Sequence, residues 1–164
     1  MKSKTGVIFL TGLIAGTMDI LAAIIVYTVI LQKTTPIKLL QSIASGVFKN
    51  EAYEGGTQMA WYGLGFHYLI ATTFALFYFL IYPYIPIFRK NALISGILYG
   101  IFVWAVMNLI VLPTVFPNLP EKTLDFQLLL SVLILIFCIG LPIAFLAKKY
   151  YSLNVNQGID LFQF

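Results

Sequence analysis

The sequence predicts an all-α membrane protein, with four transmembrane helices in an antiparallel bundle and a short amphipathic helix in the loop between the first two. Three observations carry that expectation. Hydrophobic residues make up 60% of the 164 and charged residues only 10%, where soluble domains carry roughly a quarter charged residues. Four apolar stretches reach the ~20 residues a helix needs to cross a hydrocarbon core. Lys and Arg gather at the ends of those stretches, where they orient a protein in its bilayer.

Taken in order, the spans are residues 6–31, 57–82, 92–112 and 126–147, within one transmembrane domain over 1–151. Span 1 follows Met1-Lys2-Ser3-Lys4 and so has the basic start of a signal peptide, with small residues in "ILAA". Its apolar run continues to Leu31, about twice an ordinary signal core, so a retained span is expected. Span 2 ends in "YPYIPIF", where Pro83 and Pro86 stop the helix and Tyr82 and Tyr84 suit the headgroup zone. After span 3, "LPTVFPNLPEK" carries Pro113, Pro117 and Pro120 and is expected to be an extended, stiff outer cap. Pro142 after Gly140 predicts a kink in span 4. Residues 152–164 have no clear period and read as a cytoplasmic tail.

Lys2 and Lys4, Arg89 and Lys90, and Lys148 and Lys149 fall on one side of four spans. The other side holds Lys33, Lys38, Lys49 and Lys122, offset by Glu51, Glu54, Glu121 and Asp125. The positive-inside rule then puts both termini in the cytoplasm. The net charge of +4 is scattered over span ends and does not form the basic face that nucleic acid needs.

The loop 32–56 contains "PIKLLQSIASGVFKN", in which Ile37, Leu40, Ile43, Ala44, Val47 and Phe48 recur at helical spacing after Pro36. Lys38, Gln41, Ser42, Ser45 and Lys49 fall largely elsewhere on the wheel. This predicts an amphipathic helix over 36–49 that lies on the outer interface, caps the bundle mouth or docks a partner.

Polar residues inside the spans are the candidate site. At 100° per residue, Gly12, Gly16, Asp19 and Ala23 share one face of span 1, and small residues let helix backbones approach, so Asp19 is expected to point into protein. A carboxylate at mid-bilayer costs ~2.5–3.5 kcal/mol even on permissive scales and needs a partner, water or a proton. His67 lies at matching depth in span 2, flanked by Gly63 and Ala71 on a close-packing stripe. Span 3 repeats the pattern with Gly96 and Gly100, followed by Trp104 and Asn108. Asp19, His67, Trp104 and Asn108 are therefore expected to form one intramembrane polar site, with Gly12, Gly16, Gly63, Gly96 and Gly100 as helix-packing positions. Span 4 adds only Ser131 and Cys138. Such a cluster either responds to protons and binds a small ion or solute, or serves as structural glue.

Several chemistries lack their residues. One His and one Cys cannot supply the three or four ligands of a zinc site, no cofactor motif is present, and Gly-x-Ser-x-Gly and His-Glu-x-x-His are absent. A non-enzymatic role is expected. The leading reading is a proton-responsive or small-solute site that binds or transports. The alternative is a scaffold or accessory subunit docking a membrane-protein partner through 32–56, and the third is a lipid- or quinone-handling enzyme. Expected associations are membrane lipid and a homo-oligomer, whose contact the Gly faces of spans 1 and 3 could supply.

From "GLIAG", through His67 and "IATTFALFY", to "GILYGIFVWAVMNLIVLP" and "FPNLP", the chain resembles the YagU-like family of bacterial inner-membrane proteins. The resemblance covers residues 10–120 and touches Gly12, Gly16, His67, Gly96, Gly100, Pro113 and Pro117. It implies an all-helical inner-membrane protein and no particular substrate. Asp19 departs from the family pattern.

Overall fold

Helix boundaries follow the hydropathy pattern closely. The computed structural model describes residues 3–116 and 126–156, with the side chains of 154–156 set aside. Among the described residues the protein is all-helical, with no strand. Four helices are long and apolar enough to cross a membrane: Lys4–Ile30, Gly56–Tyr84, Ala92–Val115 and Phe126–Leu153. We refer to these as spans 1 to 4.

Span 1 is α1 (Lys4–Ile24) continued by a π-helical turn, Ile25–Ile30. The loop that follows folds into α2 (Pro36–Phe48) and a single turn, α3 (Glu51–Glu54). Thr35 caps α2, its hydroxyl accepting from the Lys38 amide at 3.3 Å, and Pro36 supplies the preset φ of a first helical residue. Span 2 is α4 (Gly56–Ile81), entered through Gly56 at φ 57°, a conformation that any side chain would strain. A 3₁₀ turn (Tyr82–Tyr84) ends it, and Pro86 starts α5 (Pro86–Lys90). Asn91 caps α6 (Ala92–Ala105) by accepting from the Leu93 and Ile94 amides.

One proline acts differently from the sequence expectation. Pro113 does not end span 3. A π-helical turn, Val106–Val111, precedes it, and α7 (Leu112–Val115) runs on through the proline. Likewise, α8 (Phe126–Leu135) passes through a π-helical turn, Ile136–Gly140, before Pro142 enters α9 (Leu141–Asn156). Proline lacks an amide proton and its ring presses on the carbonyl four residues back, and a widened turn relieves both faults. The "LPTVFPNLPEK" stretch is therefore helical to Val115. Pro117, Pro120, Glu121, Lys122 and Asp125 lie outside the described residues, as does 157–164 of the expected tail. The part of that tail that is described, from Ser152 to Asn156, continues α9.

The glycine faces settle which helices touch. A Cβ on Gly12 would fall within 2.6 Å of the Thr72 Cα, and one on Gly16 would meet Tyr68 and Ala71, so span 1 packs on span 2. Gly96 and Gly100 press on Gly140, Leu141 and Ile136, so span 3 packs on span 4. Gly63 also meets a neighbouring helix, one outside the spans. It receives the Leu40 carbonyl of α2, not a transmembrane span. The glycine faces of spans 1 and 3 are thus filled within the chain.

Aromatic packing closes one end of the molecule. Tyr78 stacks on Phe88 at 4.7 Å, Tyr82 stacks on Tyr151 at 4.5 Å, and Tyr99 meets the Tyr78 ring edge-on. Tyr82 is thus buried in this cluster, while Tyr84 is exposed. Lys4 lies over the Tyr151 ring and Lys148 donates to the Lys90 carbonyl. Three basic sites far apart in sequence accordingly meet at the aromatic end. The outward faces of the spans are apolar, with Phe9, Leu21, Ile25, Leu69, Leu109 and Phe137 all exposed.

Candidate functional site

The helical register of span 1 carries the argument from fold to site. Because Gly12 and Gly16 lock α1 against α4, Asp19, one turn further along the same face, is brought beside His67. The His67 Nε2 lies 3.8 Å from the Asp19 Oδ2, with both side chains largely enclosed, at 13% and 16% exposure.

The hydrogen bond of that histidine goes elsewhere. His67 Nε2 is 2.8 Å from the Gly16 carbonyl oxygen. A carbonyl only accepts, so Nε2 carries a proton and donates it to the backbone of span 1. The interhelical bond is therefore imidazole to carbonyl, and the carboxylate is an ionic neighbour without being its acceptor. Among the described residues, no donor reaches the Asp19 carboxylate within hydrogen-bond distance.

Two cavities explain what a carboxylate without a donor faces. The outer one, about 380 Å³ and open to the surface, is bounded by Asp19, Tyr27, Thr34, Lys38, Ser42 and His67. The inner one, about 220 Å³, is bounded by Asp19 and His67 at one side and otherwise by apolar groups such as Phe74, Val103, Met107 and Ile139, with Asn108 the further polar residue. Asp19, His67 and Ile43 of α2 are common to both walls. The π-helical turns contribute here: Tyr27 to the outer chamber, Met107, Asn108 and Ile139 to the inner one. A widened turn cannot pack as closely as an α-helix, so hollows beside such turns are expected.

Of the four residues expected to form one site, three surround the inner chamber and one does not. Trp104 donates from Nε1 to the Ser131 hydroxyl at 2.8 Å, on the span 3 to span 4 seam, and lines neither chamber. Depth was matched, but the stripe Gly96, Gly100, Trp104 points at span 4. Asn108 stays with the site and also donates from Nδ2 to the Trp104 carbonyl.

The loop helix also differs from its amphipathic reading. Gln41 and Ser45, placed on the polar side of the wheel, are buried, and Gln41 donates to the Gly56 carbonyl at 2.9 Å. Phe48 packs against the Tyr62 and Phe66 rings, and Leu40 against Gly63. Lys49 donates to the Val115 carbonyl of span 3. α2 is thus packed along span 2, with Lys49 just past its end reaching span 3.

Sequence reasoning missed Tyr27, Thr34, Lys38 and Ser42 as lining residues. Lys38 and Ser42 are four apart on α2 and so share a face, which was the available signal. Compared with family models, curated proteins and solved structures, the chain matches none.

Proposed function

We propose that this protein is a four-helix antiparallel bundle of a bacterial inner membrane that binds a proton-linked cation or small solute at Asp19 and His67. In this reading both termini are cytoplasmic and α2 caps the outer mouth. The gathering of Lys4, Lys90 and Lys148 at the aromatic end supports that orientation, since basic residues favour the cytoplasmic face. The YagU-like resemblance belongs to the same reading, as a statement of fold and location.

One observation carries the functional part. An aspartate within a span is held at the wall between two chambers, without a donor to its carboxylate, beside a histidine whose proton is committed to a backbone carbonyl. A purely structural polar pair is closed on itself, because unsatisfied buried groups destabilise the fold. This one is left open toward space a ligand can fill.

The test is flux and stability together. The full chain in liposomes with an internal pH dye should show potential-driven proton movement that Asp19→Asn removes, while the variant remains monodisperse and helical. Equal flux in wild type and variant, with only detergent stability altered, would overturn the reading. The alternative of a docking scaffold is supported less well, because Leu40 and Phe48 of the 32–56 loop are engaged inside the protein, leaving Ile37, Val47 and Tyr53 as its exposed large apolar groups.

A further inference from the structure

The two chambers differ in chemistry, and their difference specifies a ligand class. We infer that the site binds a primary ammonium group on a small apolar body, with the ammonium at Asp19 and the body in the inner chamber. The inference rests on the reading of Asp19 and His67 as a binding site.

Charge comes first. Among the described residues Asp19 is the only acidic side chain on either chamber wall, and no described donor satisfies it, so a cationic ligand finds a carboxylate with its acceptor capacity unused. Charge-assisted N–H···O bonds to such a group are among the stronger polar contacts available. A bare metal ion fits poorly. A hard cation takes six or more oxygen ligands, or keeps its waters, and among the described residues no three His, Cys, Asp or Glu side chains come together to hold one. An ammonium needs at most three acceptors, and the rest of the molecule can be hydrocarbon.

Shape comes next. The inner chamber, about 220 Å³, is below the ~300–1,000 Å³ usual for drug-sized ligands, so the body must be small. Phe74, Val103, Met107 and Ile139 give it an apolar wall, and filling that wall with hydrocarbon is favourable where filling it with water is not. In the outer chamber Lys38, Thr34 and Ser42 can face an anionic or hydrogen-bonding end. Two sources share this chemistry: a simple short-chain amine, which uses Asp19 and the inner chamber alone, and an apolar α-amino acid, whose carboxylate would turn toward Lys38.

A four-compound panel on the full chain in lipid nanodiscs, read by calorimetry and by thermal midpoint, tests this. The compounds are leucine, 3-methylbutylamine, 4-methylpentanoate and 3-methylbutanol. One or both ammonium compounds should bind, with the acid and the alcohol weaker by about tenfold or more, and Asp19→Asn should remove that preference. If leucine is the better ligand and Lys38→Met weakens leucine alone, the amino acid is the source. If 3-methylbutylamine binds as well or better and Lys38→Met changes nothing, the simple amine is. Equal binding of all four, retention of the preference in Asp19→Asn, or no binding by either ammonium compound overturns the inference. The wild-type panel stands even where a variant fails to fold. Failure of the panel with Asp19-dependent proton flux intact removes the ammonium and leaves the broader reading, whereas loss of both removes both.

Discussion

The two ends of this molecule are built on opposite terms. At the aromatic end, Tyr78, Tyr82, Phe88, Tyr99 and Tyr151 fill the interior, and three of the four tyrosine hydroxyls find acceptors: Tyr78 donates to Ser95, Tyr99 to the Phe74 carbonyl and Tyr151 to the Phe79 carbonyl. At the other end the interior is hollow, and Asp19 faces space without a described donor. The same chain can satisfy buried polar groups thoroughly where packing is all that is asked. That it leaves one acid open between two chambers is what makes the hollow end read as a site.

The comparison is broken most severely by adding a single methyl to the packed seam. Gly140→Ala would drive a Cβ onto the Gly96 carbonyl and the Gly100 backbone, neither of which can rotate away. Overpacking against backbone should cost about 3 kcal/mol or more, read as loss of monodisperse protein or a collapsed thermal midpoint. Tyr78→Ala should follow closely, at about 3 kcal/mol, since it removes a fully buried ring stacked on Phe88 together with a bond to Ser95. A similarly small enlargement in the hollow end should behave differently. Val103→Leu adds a methylene beside the inner chamber and should shift stability by less than about 1 kcal/mol.

Polar substitutions sharpen the same contrast. Trp104→Phe removes the bond to Ser131 and should cost about 1 kcal/mol while leaving proton flux and ligand binding intact, because Trp104 lines neither chamber. The smallest effect on stability should be that of Asp19→Asn, neutral within about 1 kcal/mol or slightly stabilising, since a carboxylate without a donor contributes little to the fold and burdens it with a charge. A large loss of thermal stability in that variant would place Asp19 among the structural groups and align the two ends.

How much of this was legible in the sequence differs residue by residue. Gly12, Gly16 and Asp19 share a face by helical spacing alone, and the rise per residue put Asp19 and His67 at one depth, so their meeting was foreseeable. That His67 would spend its Nε2 proton on the Gly16 carbonyl was not, because hydropathy and spacing place residues and do not direct individual hydrogen bonds. Tyr82 looked like an interfacial residue by composition. Its stacking on Tyr151, a partner from the far end of the chain, was not legible there.

Local sequence determined where the helices lie, which faces are small enough to pack, and that an acid sits inside a span, because each depends on composition or spacing within a few turns. Tertiary structure alone decided the azimuth: which neighbour each stripe meets, so that Trp104 turns to Ser131 while Asn108 joins Asp19 and His67 around the inner chamber. It also decided that α2 packs on span 2 with Gln41 and Ser45 inside. Periodicity tells one helix which of its sides is alike, and only the packing of several helices tells it what that side will touch.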